Sequence, residues 1–208
     1  MLTGLLWNYW AFLVLFTIIH FGCWYEFIKL GKKINAKNYL LFSLLGLIYI
    51  TLPVLMMIGL GIRWEIHTTD NTNRIIFSNI IPCTILFSIW INDTMAYLVG
   101  SFIGKTHFSK VSPKKTLEGT IGGIILCVVC IAAGAYFTKL LPVNVAAIIA
   151  ALCGIFGTAG DLLESKIKRM ADVKDSGSFM PGHGGFLDRF DSLLVATPAV
   201  WLYVNFFL

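Results

Sequence analysis

Acidic and basic side chains are concentrated between residues 161 and 191 of a chain that is otherwise mostly apolar. This stretch holds five of the sixteen Lys and Arg residues and six of the eleven Asp and Glu residues. The whole chain of 208 residues is 57% hydrophobic and only 13% charged. Because removing a charge from water is costly unless a partner or ligand compensates for it, this concentration of charge indicates a site with a chemical purpose.

The spacing of the acids predicts two helical faces that carry them. One face forms if a helix continues beyond residue 160, and the other begins a second helix. These residues are Asp161, Glu164, Ser165 and Lys168 on the first face, and Asp188 and Asp191 on the second. Carboxylate oxygens suit Mg²⁺, which bridges to substrate phosphates. The stretch therefore predicts a site for Mg²⁺ with a nucleotide or another phosphate, and the alternative is a solvated loop whose charges pair with each other.

Bases and glycines in the same stretch are suited to a phosphate. The bases that could neutralise its charge are Lys168, Arg169, Lys174 and Arg189. Gly184 and Gly185 would let the main chain approach a ligand closely. His183 precedes them, and it is either a base, a phosphate contact or a turn histidine bonded to the main chain.

A second candidate segment lies near the middle of the chain. Lys114 and Lys115 precede a predicted helix N-terminus, where main-chain N–H groups and the helix dipole favour a phosphate. Ser112, Thr116 and Glu118 belong to the same segment. It is not a P-loop, because the GxxxxGK[ST] pattern is absent. The alternative is that its lysines only fix the membrane topology.

Asp93 is the third candidate, since it interrupts an apolar run together with Asn92 and Thr94. An ionisable residue inside a membrane segment is expensive and marks a functional site by default. The alternative is that Asp93 pairs with a lysine to hold two helices together.

Six apolar runs must position these groups, and the mean hydropathy of +0.80 is that of a membrane protein. A spanning helix needs about 20 apolar residues. The runs cover residues 5–28, 39–62, 75–103, 120–137, 143–160 and 191–207. Each must be helical, because lipid offers no partner to an open main chain. The sequence thus predicts an all-α, polytopic integral membrane protein with six transmembrane helices. The cysteines lie in the runs and predict no disulfide framework.

Basic residues alternate between the loops and predict the orientation. Loops 29–38, 104–119 and 161–190 hold thirteen Lys and Arg residues, whereas the remaining loops hold three. The positive-inside rule places the first set in the cytoplasm and both termini outside. All three candidate segments would then act at the cytoplasmic side.

These motifs together resemble the phosphatidate cytidylyltransferases, also called CDP-diacylglycerol synthases. The most specific likeness is the run Ser165-Lys-Ile-Lys-Arg, followed after four residues by Lys174-Asp175 and then by Pro181-Gly-His-Gly-Gly-Phe-Leu-Asp-Arg-Phe-Asp191. Segments 92–94, 112–119 and 160–165 also resemble the family. The likeness covers roughly residues 75–208, which predicts a catalytic membrane region there and a two-helix membrane region over residues 1–74.

The resemblance implies a reaction in which CTP and phosphatidic acid give CDP-diacylglycerol and pyrophosphate. It also implies Mg²⁺ held by carboxylates at Asp161 and Asp188, with K⁺ as a companion ion. The predicted catalytic residues are these two acids and the four bases named above. The predicted substrate-binding residues are Asp93, Ser112, Lys114, Lys115, Thr116, Glu118, Ser165, His183, Gly184, Gly185 and Asp191. A homodimer in a bacterial cytoplasmic membrane is expected, with no nucleic-acid partner.

Three other functions are weighed against this one. A related enzyme would use another lipid phosphate or a polyprenol, as a CDP-archaeol synthase or a CTP-dependent lipid kinase does. A transporter would line a path through the midplane, whereas the polar residues here cluster towards one membrane face. An inactive homologue would be expected to have lost part of the acid and base set, which this chain retains.

Overall fold

The structure of the chain is a computed structural model that describes residues 8–67, 72–108, 112, 115–177 and 184–208, with only the main chain described at 63–67 and 72–75. The helices in this part are α1 (Tyr9–Ile34), α2 (Tyr39–Gly46), α3 (Leu52–Gly61), α4 (Ile80–Ile103), α5 (Leu117–Thr138), α6 (Val143–Met170) and α7 (Leu187–Phe207). A π-helical turn, Leu47–Thr51, joins α2 to α3. Strands β1 (Ile62–His67) and β2 (Thr72–Phe77) lie between α3 and α4.

Six helical segments in the described part are long and apolar enough to cross a membrane. α2, the π-helical turn and α3 form one of these segments, Tyr39–Gly61. The fold is therefore that of a multi-pass helical membrane protein, which confirms the predicted class and the number of spans. All five cysteines are free, as expected.

The β1–β2 hairpin was not predicted. Its strands pair antiparallel from Ile62 opposite Phe77 to His67 opposite Thr72. Hydropathy predicts a loop over residues 63–74 and a third span that begins at residue 75. That boundary is wrong because a short apolar run such as residues 75–77 can belong either to a strand or to a helix, and hydropathy does not distinguish the two. The third span begins at Ile80 instead.

The fifth span continues as a helix beyond the apolar run that predicted it. α6 ends at Met170, ten residues after the predicted end of the span. The acids and bases from Asp161 to Arg169 therefore lie on a regular helix, as the spacing required. α7 begins at Leu187, so that Asp188 lies in its first turn.

Glycines bring the helices that carry the candidate residues close together. A Cβ atom on Gly123 of α5 would lie 2.7 Å from the Cβ of Ala96 on α4. A Cβ atom on Gly160 of α6 would lie 2.5 Å from the main-chain oxygen of Asp191 on α7. Such contacts leave no room for a side chain, as is common where membrane helices cross. The crossing at Gly160 places the neighbouring Asp161 next to the start of α7.

Candidate functional site

A polar cavity of about 460 Å³ lies where α4, α5, α6 and α7 meet. It draws its walls from all three segments that the sequence analysis singled out. Its polar lining includes Asn92, Asp93, Tyr97, Ser101, Ser112, Lys115, Thr116, Thr120, Thr158, Asp161, Asp188, Asp191 and Ser192. Segments that are far apart in sequence thus converge on one site, which is referred to below as the polar cavity.

Three carboxylates form an acid cluster beside this cavity: Asp161, Glu164 and Asp191. One oxygen from each lies within 4.8 Å of the others. Glu164 is fully buried and Asp191 is 7% exposed. Oε1 of Glu164 is buried and has no hydrogen-bond partner among the described residues. Because carboxylates that are this close repel one another, the acid cluster is suited to a cation.

Lys115 contributes a positive charge to the edge of the acid cluster. Its ammonium group forms an ion pair with the carboxylate of Asp161. The main chain around Lys115 is held in place, because Phe108 donates its N–H to the Lys115 carbonyl at 2.9 Å. Leu117 donates its N–H to Thr106 at the same distance. Lys115 is therefore fixed at the wall of the polar cavity rather than on a free loop.

Asp188 is surrounded by donors, unlike the acid cluster. Lys168 Nζ lies 2.6 Å from its Oδ1. Its Oδ2 accepts the N–H of Ser176 at 2.9 Å and the N–H of Gly185 at 2.8 Å, and the Ser176 hydroxyl lies 2.9 Å away. Lys168 also pairs with Glu164 at 2.5 Å, so it bridges Asp188 to the acid cluster.

Thr116 and Glu118 hold the start of α5. The Thr116 hydroxyl accepts the N–H of Gly119 at 3.2 Å and so caps the helix. Glu118 accepts N–H groups from Lys105 and Thr106 and the Thr106 hydroxyl at 2.8 Å. Thr116 lines the polar cavity, whereas Glu118 lies outside that lining. The assignment of both residues to substrate binding stays a prediction.

The remaining predicted residues are placed less centrally. Ser165 is half-buried on α6, and Arg169 and Lys174 are exposed, and none of the three lines the polar cavity. Gly184 and Gly185 lead into α7, and the positive φ of Gly184, +83°, is a conformation that favours glycine. Lys114 and His183 lie outside the described residues.

A second, largely apolar cavity of about 470 Å³ reaches the same acids from another direction. It lies between α1, α4 and α7. Apolar residues form most of its wall: Leu15, Ile18, Ile19, Leu86, Ile89, Trp90, Phe186, Phe190 and Leu193. Arg189 also lines it. Asp93, Asp188, Asp191 and Ser192 line both cavities, so the two spaces meet at one group of acids.

Three residues at this site have no role assigned to them from the sequence, although one of them, Asn92, lies in a candidate segment. Asn92 is 3% exposed, lines the polar cavity and has an Oδ1 atom to which no described residue donates a hydrogen bond. Ser176 is buried and bonds to Asp188. Glu26 lies on α1 and is 4% exposed. Glu26 carried the same signal as Asp93, an acid inside an apolar run, whereas nothing in the spacing distinguished Ser176 from other loop serines.

Comparison with known proteins identifies the class. A family model described as the cytidylyltransferase family matches residues 50–207. The chain belongs to this family, which confirms the resemblance seen in its motifs.

Three relatives named phosphatidate cytidylyltransferase illustrate the similarity. The protein from Bacillus subtilis is 42% identical over 121 residues, which is 57% of this chain and 45% of the relative. The one from Staphylococcus haemolyticus is 34% identical over 176 residues, or 83% of this chain and 64% of the relative. The one from Synechocystis is 42% identical over 117 residues, which is 56% of this chain and 40% of the relative. In each alignment the chain spans less than two thirds of the relative's length.

Proposed function

We propose that this protein is a CTP-dependent cytidylyltransferase that acts on phosphatidic acid and forms CDP-diacylglycerol and pyrophosphate. The observation that carries the proposal is the meeting of a polar and an apolar cavity at Asp93, Asp188, Asp191 and Ser192. A reaction that joins a nucleotide to a lipid phosphate needs a polar space, an apolar space and a shared point where the phosphates meet. The names of the bacterial relatives support the same reaction.

The polar cavity is the proposed site for CTP. Its volume is large enough for part of a nucleotide, and Lys115 and Thr116 at its wall can contact phosphate oxygens. The apolar cavity is the proposed entrance for the lipid. Leu15, Ile18 and Trp90 would pack on the glycerol and acyl portion, and Arg189 would contact the head-group phosphate.

The residues of the acid cluster fit a Mg²⁺ ion. They offer three carboxylates, which are the hard oxygen ligands that Mg²⁺ prefers. In the described part of the chain no hydrogen-bond donor competes for the buried Oε1 of Glu164. Asp161, Glu164 and Asp191 would hold the ion. When bound, such an ion neutralises phosphate charge and aligns the reacting groups. The sequence-based assignment of the metal to Asp161 and Asp188, and of K⁺ as a companion, remains a prediction.

The chemical step requires little covalent work from the protein. An oxygen of the lipid phosphate attacks the α-phosphorus of CTP, and a new P–O bond forms. The bond from that phosphorus to the oxygen bridging to the β-phosphate breaks, and pyrophosphate leaves. The attacking phosphate is already ionised, so no strong general base is needed. Lys115 and Arg189 would orient the two phosphates and offset the charge that moves to the leaving group.

The arrangement of charges supports an active site at the cytoplasmic face of a bacterial membrane. α1 and α6 carry lysines or arginines in their last turns, Lys32, Lys33, Lys168 and Arg169. The positive-inside rule orients these ends to the cytoplasm, where CTP is found. A homodimer, the expected assembly, remains part of the proposal, as does the division of the chain at residue 74.

Transfer of label from CTP to lipid tests the proposed reaction. The purified protein in lipid nanodiscs would be given phosphatidic acid, Mg²⁺ and CTP labelled either at the α- or at the γ-phosphate. We expect α-label in the lipid fraction and γ-label in released pyrophosphate. Label from the γ-position in the lipid would instead identify a lipid kinase and overturn the proposal, as would the absence of any label in lipid.

A further inference from the structure

Glu26 is a buried acid in the first transmembrane helix, outside the range of the family match. It is 4% exposed, whereas the family model begins at residue 50. A carboxylate this deeply buried is costly unless donors surround it. The contacts of Glu26 therefore show which groups offset the cost of burying its carboxylate.

The donors come from the beginning of α7 and from the loop before it. Glu26 Oε1 accepts the N–H of Phe186, and Oε2 accepts the N–H of Leu187, both at 2.9 Å. The N-cap residue of α7, Phe186, makes no capping hydrogen bond with its own side chain. Because the first N–H groups of a helix lack intrahelical partners, Glu26 acts as a cap supplied from another helix. Its negative charge also lies at the positive end of the helix dipole.

The loop is shaped to receive this carboxylate. A Cβ atom on Gly177 or on Gly185 would overlap with the carboxyl group of Glu26. Gly177 and Gly185 precede and follow residues 178–183 in the sequence. At both positions the absence of a side chain lets the main chain lie close to the Glu26 carboxylate. Any residue with a side chain at either glycine would therefore displace the carboxyl group of Glu26.

Ser176 connects Glu26 to the site. Its hydroxyl lies 2.7 Å from Glu26 Oε2 and 2.9 Å from Asp188 Oδ2. The Ser176 N–H and the Gly185 N–H also donate to Asp188 Oδ2. The position of Asp188, which lines both cavities, is therefore set by a loop and a helix start that Glu26 fixes.

We propose that Glu26 is a positioning residue for the transfer reaction, acting through Ser176 and the start of α7 on Asp188. The first transmembrane helix is then part of the catalytic unit, and more than an anchor preceding it. The consequence for catalysis rests on the proposed function, whereas the consequence for the loop does not.

Hydrogen exchange and kinetics on Glu26→Ala and Glu26→Gln test this role. Each lost hydrogen bond to a charged acceptor exposes its donor, so exchange at the amides of residues 184–187 should accelerate by about tenfold or more in Glu26→Ala. Exchange in α5 should stay unchanged. The kcat for CDP-diacylglycerol formation should fall by about 10- to 100-fold, with a much smaller change in the KM for CTP. Glu26→Gln, which keeps the size and one acceptor, should lie between Glu26→Ala and the wild type in both readouts.

Cys23→Ala is the matched control, because Cys23 is buried on the same helix one turn earlier. It should leave both kcat and the exchange of residues 184–187 unchanged. Equal effects of Cys23→Ala and Glu26→Ala would reduce Glu26 to a packing residue and overturn the proposal. If Glu26→Ala does not fold, Glu26→Gln takes its place. Exchange rates and a kcat in Glu26→Gln that equal those of the wild type would then overturn the proposal.

The two readouts separate this inference from the proposed reaction. If the wild type transfers no label to lipid, the proposed function fails, while faster exchange in Glu26→Ala still supports the link from Glu26 to the loop. If the wild type is active and Glu26→Ala exchanges and turns over normally, the reaction stands and the role of Glu26 is refuted.

Discussion

Asp188 and Asp191 lie one turn apart on α7 but in opposite surroundings. Asp188 belongs to a donor network formed by Lys168, Ser176 and Gly185, in which Ser176 also contacts Glu26. Its carboxylate has an ammonium group, a hydroxyl and two main-chain N–H groups around it. Asp191 belongs to the acid cluster. Its Oδ1 accepts the N–H of Ser192 at 2.6 Å, and its nearest charged neighbours include two further carboxylates.

The difference separates a carboxylate whose hydrogen bonds hold the loop to α7 from the carboxylates that the proposed function assigns to Mg²⁺. In the donor network, the protein itself supplies the positive charge and the hydrogen bonds that a buried carboxylate needs. In the acid cluster the ion-pair partners among the described residues are Lys115, paired with Asp161, and Lys168, paired with Glu164. The negative charge there is what a divalent cation would bind, and the cation would in turn attract the nucleotide phosphates.

The largest effect is expected from neutralising the acid cluster. Asp191→Asn keeps the size of the side chain but removes one of three carboxylates, so turnover should fall by about 1000-fold or more, as expected when several kcal/mol of charge stabilisation is lost. The measurement is the initial rate of CDP-diacylglycerol formation by purified protein. The protein should still be extracted as a folded, monodisperse species.

Asp172→Asn is the control for that substitution. Asp172 is an exposed acid of the same charged stretch with a φ of 52°, a conformation that Asn adopts readily. Its rate should match that of the wild type. If Asp172→Asn and Asp191→Asn lose activity equally, then the distinction between the acid cluster and the surrounding charged surface is wrong.

A smaller, structural effect is expected from the donor network. Lys168→Met would leave Glu164 and Asp188 close together without the ammonium group that now bridges them. Because breaking a buried ion pair is strongly destabilising, the apparent unfolding midpoint in detergent should fall by about 6 to 12 °C. Thermal unfolding followed by circular dichroism measures this shift.

Lys166→Met provides the comparison on the same helix. Lys166 is exposed and two residues away, so its loss should change the midpoint little. Equal midpoints for Lys168→Met and the wild type would mean that the bridge does not hold α6 to α7.

The sequence was sufficient for the number of spans, though not for all their boundaries, and for the convergence of the three polar segments. Hydropathy and helical spacing depend on local sequence, so Asp161, Lys115 and Asp93 could be assigned to one site before any coordinates. The hairpin could not be predicted, because residues 75–77 are as apolar as the helix that follows them. The donors of Asp188 could not be predicted either, since Lys168 and Ser176 reach it only through tertiary packing.

Glu26 shows most clearly why part of the site was missed. Its chemistry is visible in the sequence, because an acid within an apolar run is unusual wherever it occurs. Its partners Phe186 and Leu187 lie 160 and 161 residues away, however, and no spacing rule connects them. Only the packing of α1 against α7 reveals that connection.

Binding of Mn²⁺ as a substitute for Mg²⁺ tests the central distinction most directly. Electron paramagnetic resonance would measure free Mn²⁺ during titration of the wild type, Asp191→Asn and Asp188→Asn without substrate. We predict saturable binding to the wild type, loss of that binding in Asp191→Asn, and a weakened but detectable site in Asp188→Asn. Loss of binding in Asp188→Asn with full binding in Asp191→Asn would contradict the account, because the metal would then be held by the carboxylate that the donor network already surrounds.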